Sequence, residues 1–112
     1  MKIAVIGSRE FKDYSLLMQF LDEKKISKII SGGARGADSL AVKYARENNI
    51  DLQEFLPDYT KYGRGAPLIR NKLIVDASDQ VVAFWDGQSR GTKHTIDYAK
   101  KIGKGVEVVT CL

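Results

Sequence analysis

Apolar residues follow two alternating rhythms along this chain. Short, nearly unbroken runs occupy 2–6 (KIAVI), 28–31 (KIIS), 52–56 (LQEFL), 80–85 (QVVAFW) and 106–110 (VEVVT). Runs of that length, rich in β-branched residues, predict strands. Between them, 14–25, 37–48, 67–77 and 92–102 read as helices. Leu16, Leu17, Phe20 and Leu21 fall on one face of the first, and Leu40, Ala41, Tyr44 and Ala45 on one face of the second. Pro67 suits the first turn of a helix, where its missing N–H is no loss, and Thr92 has the chemistry of a cap for the last one. Strand–helix alternation with nearly all-apolar central strands predicts a parallel sheet covered on both faces. The expected fold is a small doubly wound α/β domain.

Length bounds this picture without changing it. With 112 residues, one domain of modest size with a single core is expected. No apolar run nears the roughly 20 residues of a membrane span, and the N-terminus enters a strand pattern without a signal-peptide profile, so a cytoplasmic protein is expected. The single cysteine, Cys111, excludes an internal disulfide framework and reads as a reduced thiol. The formal charge of +4 favours an anionic partner but is spread along the chain.

The chemistry gathers where predicted strands meet predicted helices. SGGARGAD, residues 31–38, follows the second strand and opens the second helix. In open α/β sheets ligands collect at this carboxyl edge, where helix N-termini present unpaired N–H groups and partial positive charge. Gly32, Gly33 and Gly36 let a backbone turn tightly and let a ligand approach, with Ala34 adding little bulk. Arg35 adds a planar fork for phosphate or carboxylate. Asp38 fits either of two roles, bonding ribose hydroxyls or steadying its own helix turn. The stretch matches neither G-x-G-x-x-G nor the Walker pattern, so neither ordinary dinucleotide binding nor NTP hydrolysis follows.

Three more polar loops are expected on the same edge. Gly7-Ser8-Arg9 follows the first strand, the segment from Trp85 through Asp86, Gly87, Ser89 and Gly91 to Thr92 follows the fourth, and YGRGA leads into the third helix at Arg70-Asn71. Ser8 and Thr92 serve equally well as caps or ligand contacts. Arg64 and Arg90 read as solvated charges, Trp85 as packing and His94 as surface. A lone histidine defines no metal site, and no cofactor is named by any pattern.

GSR, SGGARGAD, YGRGAPLIRN and AFWDGQSRGTKHTI, in that order, resemble the YspA-related branch of the SLOG superfamily, named for SMF/DprA and LOG proteins. The resemblance covers essentially the whole chain. It implies a Rossmann-like sheet of order 3-2-1-4-5 that binds nucleotides or nucleotide-derived ligands through these loops. LOG-type phosphoribohydrolases cleave the N-glycosidic bond of nucleoside monophosphates with an arginine in M-x-x-R-K and a glutamate in P-G-G-x-G-T-x-x-E. Arg70 is similar in position to that arginine and Gly91-Thr92 to the GT pair, but Thr95 stands where the glutamate would. A threonine hydroxyl neither activates water nor stabilises oxocarbenium charge as a carboxylate does. Asp86 and Asp38 are the carboxylates placed to substitute, with Arg70 beside them as the third catalytic candidate.

Three functions stay open at this level. The first is a binding module or sensor for a small nucleotide-derived ligand. The second is a hydrolase of an N-glycosidic or phosphate-ester bond in such a ligand. The third is nucleic-acid binding of DprA type, disfavoured by the absence of any basic run. A homo-oligomer is also expected, because helices on small doubly wound sheets often meet in dimers.

Overall fold

Five strands, Lys2–Gly7 (β1), Lys28–Ser31 (β2), Asp51–Glu54 (β3), Gln80–Trp85 (β4) and Gly105–Thr110 (β5), form one all-parallel sheet in the order β3-β2-β1-β4-β5. The structure is a computed structural model and describes residues 1–110; Cys111 lies outside the described residues. Five helices connect the strands: Tyr14–Asp22 (α1), Ala37–Glu47 (α2), Tyr59–Tyr62 (α3), Ala66–Ala77 (α4) and Arg90–Lys101 (α5).

The pleat of β1 explains the two layers. Ile3 and Val5 point to one face, where α1 supplies Leu17 and Leu21 and α2 supplies Ala41, Tyr44 and Ala45. Ala4 and Ile6 point to the other, against Ile74 and Val75 of α4 and Ile96 and Ala99 of α5. A strand covered on both sides must be apolar at every position, which is the unbroken run in its sequence. Phe84 anchors the first layer, stacked on Phe11 with ring centroids 4.8 Å apart and met edge-on by Phe20. Two tyrosine hydroxyls brace α1 against α2, Tyr14 donating to Glu47 and Tyr44 to Asp22, each at 2.6 Å.

Several ends shift by one residue from the sequence pattern, and four differences are larger. α1 stops at Asp22 instead of continuing to Lys25, the Glu23 N–H closing its last turn by donating to the Leu21 carbonyl. β3 ends at Glu54 instead of continuing to Leu56, because its partner β2 ends at Ser31, opposite Glu54, where the glycine loop begins. α3, a single turn, interrupts the stretch before Pro67; one turn is too short to show a helical period. α5 starts at Arg90, capped by Ser89, so Thr92 lies inside the helix and is not its cap.

Candidate functional site at the carboxyl edge of the sheet

β1 connects onward to β2 on one side of the sheet, while β4 lies on its other side. Their following loops therefore diverge, opening a crevice at the carboxyl edge. Ser8 closes the floor: its N–H donates to the Phe84 carbonyl at 3.0 Å and its hydroxyl accepts from the Asp86 N–H at 3.2 Å. Both groups thereby help to join β1 to β4. Gly7 is small for packing, since a Cβ there would stand 2.7 Å from that of Ala37 and 2.5 Å from the Phe84 carbonyl oxygen.

The glycine loop is held from inside. Gly36 sits at φ 79°, and a Cβ on it would fall onto the carbonyl oxygens of Ser8 and Arg9, so α2 meets the β1 loop backbone to backbone. The Gly33 N–H donates to the Ser31 hydroxyl at 3.3 Å and the Ala34 N–H to Asp38 Oδ2 at 3.1 Å. The N–H groups of Arg35 and Gly36 have no hydrogen-bond partner among the described residues. Asp38 thus steadies the loop more than its own helix turn, one of whose backbone groups, the Asp38 carbonyl, accepts from Ser31.

Arg70 reaches into this loop from α4. Its Nη1 donates to the Gly32 carbonyl at 2.6 Å and its Nε to Asn71 Oδ1 at 2.8 Å. Gly32 makes the room: a Cβ would lie 2.8 Å from Arg70 Nη1 and 3.1 Å from Asp38 Oδ2. Burial pushes the Asp38 carboxyl up to about 6, against the lowering pull of the Ala34 N–H and the Arg70 and Arg9 charges, with Glu54 raising it further. Burial also lowers the Arg70 guanidinium, which the Asp38 charge partly restores. No ion pair joins the two among the described residues.

On the β4 side, Asp86 accepts from the N–H groups of Gln88 and Ser89, both at 2.8 Å, and these bonds hold its carboxyl below the usual range. Ser89 then caps α5 by accepting from the Thr92 N–H. Trp85 packs against the second core layer and donates to the Ser89 carbonyl, as a packing residue would. Thr95 is buried, its hydroxyl donating to the Gly91 carbonyl at 2.9 Å.

Two arms of the crevice result, sharing Arg9, Ala34, Pro67 and Arg70 on their walls. The inner arm, about 130 Å³, brings together Gly7, Asp38, Asn71, Ser89, Gly91, Thr92 and Thr95. The outer arm, about 400 Å³, is bordered by Gly32, Gly33 and Arg35 and by Leu56, Pro57 and Tyr59. Ser8 and Asp86 face a separate, more apolar cleft of about 500 Å³ beside Phe11 and Leu16. Its other aspartate, Asp13, accepts from the Leu16 N–H to cap α1, so both aspartates there serve turns. Gly87, exposed at φ 82°, shapes its turn and lines neither arm. Arg35 pairs with Glu10 at 3.3 Å, both exposed. Leu56, Pro57 and Tyr59 carry no motif, and the one sequence signal for their turn is Asp58, which caps α3 by accepting from the Lys61 N–H at 3.1 Å. Among the described residues no group of three or more His, Cys, Asp or Glu could hold a metal ion, and no helix is long and apolar enough to cross a membrane.

Comparison with solved structures gives the same fold at low identity. DNA processing protein A (DprA) from Streptococcus pneumoniae matches 99% of the chain at a TM-score of 0.80 with 19% identity. The same protein from Helicobacter pylori, described for its single-stranded DNA binding mode, matches all of it at 0.76 with 24% identity. The chain spans 50% of the former and 66% of the latter. The Gene 61 protein of Mycobacterium phage D29 is 34% identical over 113 residues, covering 91% of this chain and 90% of its own length. Residues 1–62, from β1 through the glycine loop to α3, match the YspA, cpYpsA-related SLOG family, and with the order and geometry of these loops the chain belongs to that family.

Proposed function

We propose that the crevice binds an anionic, ribose- and phosphate-containing ligand of nucleotide type, and that the protein acts as a binding module or sensor for it. Gly91 carries this reading. The fold does not require a glycine there: its φ is not positive and nothing lies within 4 Å of a would-be Cβ. Glycine inside a helix costs up to about 1 kcal/mol relative to alanine. Yet Gly91 lines the inner arm in the first turn of α5, and neither its N–H nor that of Arg90 has a partner among the described residues. Arg9 is exposed, makes no hydrogen bond or ion pair among the described residues and borders both arms. A phosphate between them would gain N–H donors, the positive end of α5 and a guanidinium together.

The carboxylates argue for binding without turnover. Asp38 and Asp86 are engaged by backbone N–H groups, and Thr95 turns its hydroxyl onto its own helix. A second reading, single-stranded nucleic acid, draws on the binding described for the Helicobacter protein and on the exposed Arg9, Arg35, Arg64 and Arg90.

Thermal shift across nucleoside phosphates, ADP-ribose and a single-stranded oligonucleotide separates the readings. A ligand at about 100 times its Kd adds roughly 2.7 kcal/mol, several degrees for a chain of this size. The expected result is a saturable shift by a compact nucleotide, lost in Arg9→Ala and weakened in Gly91→Ala, whose ligand-free melting point stays level or rises. The proposal fails if no such compound shifts the parent, or if both variants respond as the parent does. Oligonucleotide binding that weakens with salt at a log–log slope of roughly −0.7 per phosphate contacted would favour the second reading.

A further inference from the structure

The outer arm carries features that phosphate binding does not use. Leu56 and Tyr59, 67% and 59% exposed, are the two most exposed large apolar side chains among the described residues, and both border this arm. Neighbouring exposed apolar groups beside a polar groove mark a binding surface more often than isolated ones do. Gly33 accounts for where the leucine lies: a Cβ at this glycine would meet Leu56 Cδ2 at 2.6 Å, so the side chain rests over the glycine loop. Tyr59 opens the α3 turn, whose start Asp58 fixes, and its hydroxyl has no hydrogen-bond partner among the described residues. Arg9, Arg35 and Arg70 border the same arm.

An exposed aromatic ring, an aliphatic floor and guanidinium groups around one groove suit a flat, electron-rich ring attached to an anion. Bases stack on tyrosine faces and on arginine planes, and such stacking tolerates any base because all have a π-face. The arm, at about 400 Å³, has the size of small-molecule sites. We propose that it seats the nucleobase, stacked on Tyr59 and against Leu56, while the phosphate occupies the adjoining inner arm between Arg9 and the start of α5. This inference rests on the ligand reading above and names the half of the ligand that reading leaves open.

Calorimetric titration of the chain with the four common nucleoside 5′-monophosphates and with ribose 5-phosphate tests it. Ribose 5-phosphate reports the phosphate site alone. At least one nucleotide is expected to bind about tenfold or more tighter than ribose 5-phosphate. Tyr59→Ala should bring that nucleotide down to the ribose 5-phosphate level and leave ribose 5-phosphate unchanged, whereas Tyr59→Phe keeps the advantage. Tyr59 is exposed, so both variants should melt with the parent. Equal affinities of the parent for nucleotide and ribose 5-phosphate, or an advantage that survives Tyr59→Ala, overturn the base seat and leave the ligand reading standing. Absence of binding by all five compounds overturns the base seat, and the ligand reading falls with it if ADP-ribose also fails to shift the parent. Loss of self-association in Tyr59→Ala with unchanged nucleotide affinity assigns the patch to a second copy of the chain and also overturns the base seat.

Discussion

At Asp38, burial raises the carboxyl from 3.8 to about 6, outweighing the Ala34 N–H and the Arg70 charge that pull it down. An unfolded aspartate titrates near 3.9, so between the two values the folded chain holds a proton that the unfolded chain has released. Stability from this group is therefore full below about pH 4 and is lost as pH rises through about 6. Two pKa units amount to about 2–3 kcal/mol. Asp38→Asn removes the titration, so its stability relative to wild type should improve by about that much between about pH 4 and pH 7. Urea denaturation of both proteins at the two pH values measures this; an unchanged difference would mean that the carboxyl is not desolvated. The residue types of SGGARGAD point to an anion site, but Asp38's dealings with Arg70, 32 positions away, depend on α4 folding back over the loop. No local pattern announces that approach. Gly7, Gly32 and Gly36 look alike in sequence to Gly91, yet the first three make room for Ala37, Arg70 and the β1 loop, and the last makes room for nothing in the chain.

Among the elements, α5 shows how a cap is chosen. Ser89 and Thr92 are both good capping types three residues apart, and pattern alone favours the one nearer the apolar face. The turn held by Asp86 sets the helix start at Arg90, and Ser89 then accepts from the Thr92 N–H. Ser89→Ala should cost about 1 kcal/mol of stability, the usual worth of a lost N-cap. Thermal denaturation beside Ser15→Ala, an exposed serine of α1, separates a cap effect from loss of a hydroxyl as such. An effect of Ser89→Ala no larger than that of a surface substitution would remove Ser89 from this role. The strands are legible from their apolar runs and α1 and α2 from their period, whereas α4, whose apolar residues keep to no single face, is marked by Pro67 in its first turn. α3 is not legible, since its four residues are fixed by Asp58 and Gly63, the latter at φ 57°.

For the molecule as a whole, the sheet order places Arg70 and the start of α5 on one crevice, and Thr95 stands where the phosphoribohydrolase resemblance would require a glutamate. Incubation with adenosine monophosphate should therefore release no free adenine, as followed by chromatography. Turnover abolished by Arg70→Ala would show that Asp38 or another carboxylate acts instead. By itself the sequence determined the alternation of strands and helices, the two-sided apolar core and the loops that carry the chemistry. These depend on spacings of two to four residues and on side-chain types, which are local properties. Only the tertiary structure decided which of those loops share a cavity. It sent Ser8 and Asp86 to the floor and far side, drew Arg70, with Asn71 bonded to it, onto the glycine loop, and set Leu56 and Tyr59 beside the arginines. The reason is that strand order and helix crossings join residues tens of positions apart, and side chains meet across such distances through packing that no local pattern encodes.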